Sequence, residues 1–149
     1  MKKLVFPFLV IAVIFSACKK EEETPANNTA INYAFSCKID GADFTDNSPV
    51  ATIDPSTNIF TLVASNGSDE VIIYIYNFSN RTEGEEISLN ATNRVYVNLG
   101  TDYYSNTISG KLIFSKTGNP VSGTFDVICA NTQSALVSVT EGEFVDVAY

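Results

Sequence analysis

Glu70-Val71-Ile72-Ile73-Tyr74-Ile75-Tyr76-Asn77-Phe78 is the stretch whose reading decides the fold. In an extended chain successive side chains alternate. Val71, Ile73 and Ile75 then share one face, and Ile72, Tyr74, Tyr76 and Phe78 share the other. A strand that is apolar on both faces belongs at the centre of a sheet or beneath a covering partner. Its β-branched and aromatic content suits a pleated surface.

Reading outward, Asn66-Gly67 supplies the tight turn of a hairpin back to Asn58–Ala64, and Val50–Ile53 lies between Pro49 and Pro55. Earlier, Asn32–Ile39 and Ala42–Phe44 flank a second turn at Asp40-Gly41. Beyond Phe78 come the polar loop Ser79–Glu85 and the short strand Glu86–Leu89. Arg94–Leu99 then alternates, with Val95, Val97 and Leu99 inward and Arg94, Tyr96 and Asn98 outward. Thr107–Ser115 and Val121–Ala130 are joined through Lys116–Pro120, and Leu136–Thr140 with Glu143–Ala148 read as a last hairpin around Glu141-Gly142. No stretch carries a sustained helical period. The expectation is an all-β domain over residues 31–149, an antiparallel β-sandwich of about ten strands rather than a closed barrel.

The start of the chain has another character. Lys2 and Lys3 precede an apolar run, Leu4–Phe15, broken only by Pro7. It is shorter than the about 20 residues a helix needs to cross a ~30 Å hydrocarbon core, and it suits the apolar region of a secretory signal. Phe15-Ser16-Ala17-Cys18 resembles the bacterial lipobox, with Phe where Leu is usual. That resemblance implies a signal peptide over 1–17. It also implies diacylglycerol on the Cys18 sulfur and an N-acyl chain, such as palmitate, on the new amine. An ordinary cleaved signal with an incidental cysteine is the alternative. At about 0.8 kcal/mol per buried methylene, two or three chains hold a protein on a membrane almost permanently. Residues 18–30 read as a flexible acidic tether. Its block Lys19-Lys20-Glu21-Glu22-Glu23 is similar to the export signal of Bacteroidota lipoproteins, which implies an outer-membrane location facing the exterior, with the periplasmic face as alternative.

The formal net charge is −8, and the chain has neither His nor Trp. An acidic surface repels phosphate backbones, which argues against nucleic-acid partners. Without His there is no Ser-His-Asp or Cys-His apparatus, and the commonest zinc ligand is missing. Cys37 shares a strand face with Phe35 and Ile39, and Cys129 with Phe125 and Val127. Both point into the core, either as a disulfide, which an oxidising compartment permits, or as packed free thiols.

The early Cys37-Lys38-Ile39-Asp40-Gly41-Ala42-Asp43-Phe44, together with Ser122-Gly123-Thr124-Phe125 and Thr140-Glu141-Gly142-Glu143-Phe144, is similar to segments of small Bacteroidota lipoproteins of a domain-of-unknown-function family. The resemblance covers the signal and the ends of the domain. It implies a β-rich surface lipoprotein and carries no catalytic residues.

Three groups of side chains are candidate sites. Asp40, Asp43 and Asp46 recur at three-residue spacing around a turn and, with Asn47, offer the oxygen ligands a calcium ion takes; a hairpin alone also accounts for Asp40-Gly41. Glu83, Glu85 and Glu86 lie near Arg81, but glutamates this close in a loop read as a solvated acidic tip before they read as a glycosidase pair. Arg94, Tyr96 and Asn98, with Tyr103 and Tyr104 close behind, form an aromatic and amide surface of the kind that binds a glycan or a protein. The expected function is a non-catalytic binding role on the cell surface, through a glycan or an outer-membrane protein. A structural accessory of an outer-membrane complex is the alternative, and a hydrolase ranks third.

Overall fold

The computed structural model describes residues 34–149. The expected signal peptide, Cys18 and its lipids, the tether, and Asn32 and Tyr33 of the expected first strand lie outside the described residues. Eleven strands follow in order: β1 (Phe35–Ile39), β2 (Ala42–Asp46), β3 (Val50–Asp54), β4 (Ile59–Asn66), β5 (Asp69–Tyr76), β6 (Glu86–Leu89), β7 (Arg94–Leu99), β8 (Asp102–Tyr104), β9 (Asn106–Lys116), β10 (Val121–Ala130) and β11 (Leu136–Val147). They form two antiparallel sheets, β2-β1-β11-β10-β9-β6 and β3-β4-β5-β7-β8. The fold is an all-β sandwich, and β5, carrying the stretch with which the sequence reading began, is the middle strand of the smaller sheet.

The core lies between the inner faces. Val71, Ile73 and Ile75 of β5 are fully buried with Phe60 and Leu62 of β4 and Val95 and Val97 of β7. Opposite them stand Leu112, Phe114, Val139 and Phe144 of the larger sheet. Phe60 meets Phe114 edge to face at 5.8 Å between ring centroids, so aromatic contact joins the sheets directly. Thr107 of β9 adds a polar joint. Strand β8 pairs with β7 only from Val97 to Leu99, which leaves the Val95 peptide without a strand partner on that side. The Thr107 hydroxyl accepts from Val95 N–H (2.8 Å) and donates to Val95 C=O (2.9 Å), and the Cys129 thiol donates to the same carbonyl (3.2 Å).

The structure corrects two local expectations and adds one strand. Strand β5 stops at Tyr76, because Asn77 takes a left-handed conformation (φ 55°) and turns Phe78 into the core through a single 3-10 turn, Phe78–Asn80. There it stacks on Phe60 at 4.8 Å instead of sharing the face of Tyr74 and Tyr76. The expected last hairpin is one continuous strand. Glu141-Gly142 is a β-bulge, with Glu141 at φ 53°, and two residues of β11, Thr140 and Glu141, lie against one of β10, Asp126. A second bulge at Asp146 (φ 49°) bends the strand again. Neighbouring β10 satisfies both displaced amides, through Asp126 for Glu141 and Ser122 for Asp146. Finally, Asp102–Tyr104 is a short edge strand outside the predicted segments.

Candidate functional site

The outer face of the smaller sheet is built from alternate residues of four strands. Register places Thr52, Thr61, Tyr74 and Arg94 in one row across β3, β4, β5 and β7. Asp54, Ile59 and Tyr76 form the row on one side, and Val50, Val63, Ile72 and Tyr96 the row on the other. Asp54, Thr57, Ile59, Thr61, Tyr74, Tyr76, Arg94 and Tyr96 together line an open hollow of about 350 Å³.

Arg94 organises this face. Its Nη1 donates to the Tyr96 hydroxyl at 2.9 Å and its Nη2 to the Tyr76 hydroxyl at 2.7 Å. The guanidinium carbon lies 5.7 Å and 5.8 Å from the Tyr76 and Tyr96 ring centres, within cation–π range. Tyr74 meets Tyr96 edge to face at 5.3 Å, and Tyr96 meets Tyr103 at 5.8 Å, so the rings continue to the sheet edge. The hydrogen bond to Tyr76, with the electron-rich phenols around it, raises the Arg94 pKa above its ordinary value and keeps it charged at every pH the fold meets. Burial among these rings also pushes the Tyr103 phenol up.

The far rim is equally defined. Asp54 accepts from Ser56 N–H and from the Ser56 and Thr57 hydroxyls, at 2.7–2.8 Å, and these bonds hold its carboxyl down to about 2. Tyr76 is fixed through its backbone. Its N–H donates to the Asn93 side chain at 3.0 Å, and its carbonyl accepts from Arg81 Nη2 at 3.0 Å. Asn93 is buried, and it also donates to the Ser88 carbonyl.

Of the residues expected to form a binding surface, Arg94, Tyr96, Asn98 and Tyr103 do share this face. Tyr104 does not. It pairs with Val97 and packs half-buried against the core, because adjacent strand residues point to opposite faces. Tyr74 and Tyr76 were missed as site residues, although the two-sided hydrophobic pattern of β5 was the available signal.

The other candidate groups are placed apart. Asp40 accepts from Ser138 N–H, and Asp46 accepts from the N–H groups of Ser48 and Ser65, while Asp43 lies beside Lys38 and Glu141 around a separate hollow. Among the described residues no three His, Cys, Asp or Glu side chains come together as a metal site. Glu83 accepts from Thr117 N–H, Glu85 pairs with Arg81 and accepts from Thr82 N–H, and Glu86 faces Lys111 at 3.9 Å. Each glutamate thus has its own partner. Cys37 and Cys129 are buried free thiols. Ile39, Val139 and Val127 lie in one row, with Cys37 two residues before it and Cys129 two residues beyond it. That separates them by about 13 Å along the strands alone, past the ~7 Å Cα limit of a disulfide.

The class defined by this fold and face is an antiparallel β-sandwich with a tyrosine-rich outer sheet surface centred on an arginine. Compared with protein-family models, characterised proteins and solved structures, the chain matches none.

Proposed function

We propose that this protein is a lipid-anchored outer-membrane protein whose smaller sheet binds a glycan on its outer face, without catalysing a reaction. The anchor reading rests on the lipobox-like Phe15-Ser16-Ala17-Cys18 and the charged block after it. The observation that carries the binding reading is the group of Tyr74, Tyr76, Tyr96 and Tyr103 around Arg94. Aromatic rings packed edge to face on a rigid sheet offer apolar surface to the C–H faces of sugars, and the phenols, Thr61 and Arg94 supply polar contacts beside it. Backbone ties at Tyr76 and cross-strand pairing at Tyr74 and Tyr96 hold the rings in place before any ligand arrives, which lowers the ordering cost of binding.

A glycan array probed with the intact protein and with a Tyr74→Ala, Tyr96→Ala double variant tests this. The expected result is retention of a defined saccharide set by the intact protein and its loss in the variant, with unchanged thermal unfolding. Retention unaffected by both substitutions, or no retention at all, would sink the proposal. Protease treatment of intact cells tests the location: digestion of the domain is expected, and survival contradicts exposure.

A further inference from the structure

Arg94 differs from the other basic groups of the described domain. Lys38 pairs with Glu141, Arg81 with Glu85, Lys111 with Glu86 and Lys116 with Asp146, whereas Arg94 meets only phenols. Two acids share its face, Asp54 on the far rim of the same hollow and Glu70 opposite Asn98, and neither forms an ion pair with Arg94. Among the described residues Arg94 is therefore the basic group without a carboxylate partner, on a domain that is otherwise strongly acidic.

The hydrogen bonds also have a direction. A guanidinium has five N–H donors and no acceptor, so Tyr76 and Tyr96 must accept from it. Their own O–H protons are then left to point elsewhere, and the remaining guanidinium N–H groups are undirected by either phenol. Donors from three side chains converge at one rim of the hollow, across from the Asp54 carboxylate, which is itself engaged by Ser56 and Thr57. Such a cluster of donors suits an anion. A planar carboxylate matches the guanidinium fork better than a point acceptor does.

We propose that the ligand is a saccharide bearing a single carboxylate, a hexuronate residue, with the carboxylate on Arg94, Tyr76 and Tyr96 and the sugar ring over Tyr74. This inference rests on the glycan-binding reading above. One positive charge within an acidic surface fits one carboxylate, while the net charge of −8 disfavours long polyanions. The hollow of about 350 Å³ lies at the small end of ligand sites, in keeping with a short saccharide.

Calorimetry on the full lipidated chain in detergent tests it with four probes: a disaccharide ending in glucuronate, its methyl ester, the neutral glucosyl counterpart, and inorganic sulfate. The free acid is expected to bind about tenfold more tightly than the ester or the neutral sugar, in line with a charge-assisted contact. Arg94→Gln is expected to abolish the preference for the acid over the ester. Tyr74→Ala is expected to weaken both. Equal binding of acid and ester would overturn the carboxylate assignment while leaving glycan binding intact. Binding of sulfate as tight as that of the acid would mark a bare anion site and overturn the saccharide. Binding of no saccharide would overturn this inference and the reading beneath it together. The acid-to-ester comparison uses the unaltered protein, so it decides the matter even if the variants fold poorly.

Discussion

Thr107 shows how much a single buried hydroxyl can contribute in this fold. Strand β8 is too short to pair with β7 beyond Val97, so without Thr107 the Val95 N–H would be buried without a partner and its C=O would keep only the Cys129 thiol. Replacing Thr107 with Val keeps the shape and removes both bonds. The expected cost is about 1–3 kcal/mol, because a desolvated peptide group is left unsatisfied. Chemical denaturation measures it, and a loss well under that range would mean that water or another group replaces the hydroxyl. The two core thiols allow a second prediction at this scale. Burial pushes Cys37 up to about 12 and Cys129 up to about 11, from an ordinary value of 9.0. The folded protein therefore holds protons that the unfolded chain gives up, so this contribution to stability is complete below about pH 9 and is lost as pH rises toward 11–12. Thermal unfolding across pH 8–11 should show the decline, and Cys37→Ala with Cys129→Ala should flatten it. In the native state neither thiol should react with an alkylating reagent at pH 8, and both should react after denaturation.

Among the elements, β11 is the one whose sequence most misleads. Gly142 follows a residue in the left-handed region, a pattern that signals a turn, yet the strand runs straight through it. The glycine is required by proximity. A Cβ there would come within 2.5 Å of the Phe125 carbonyl oxygen and of its ring. Gly142→Ala should therefore destabilise the domain by about 1–3 kcal/mol, the usual cost of overpacking a core. Glu141→Gly should be nearly neutral. It relieves a positive φ and loses only a solvent-exposed ion pair with Lys38, which water and salt screen. If the expected hairpin existed instead, the order would reverse. Strand β5 ends at the left-handed Asn77, and Asn93 and Arg81 secure that end by taking the two backbone groups of Tyr76.

At the scale of the whole molecule, alternation was enough to reveal the sandwich. Val71, Ile73 and Ile75 read as inward and are fully buried, and Val95 and Val97 against Arg94, Tyr96 and Asn98 read the same way on β7. Half of the candidate site was legible for that reason. The rest depends on which strands become neighbours. Nothing local in Tyr74 or Tyr76 says that β5 will lie beside β7, so their meeting with Arg94 is a product of topology. Tyr103 and Tyr104 are adjacent and equally aromatic; only the pairing of β8 with Leu99, Asn98 and Val97 sends one outward and the other to the core. The same topology concentrates aromatic surface on one outer face around a cation that has no ion pair among the described residues, while the larger sheet carries Lys38–Glu141, Lys111–Glu86 and Lys116–Asp146 as compensated pairs.

The most direct test of that face as the binding surface is an NMR titration of selectively labelled tyrosine rings with the glucuronate-ended disaccharide. The account predicts that signals of Tyr74, Tyr76, Tyr96 and Tyr103 move together with one affinity, while those of Tyr104 and Tyr149 stay still. Movement at Tyr104 or Tyr149 with none at the four outer-face rings would contradict it.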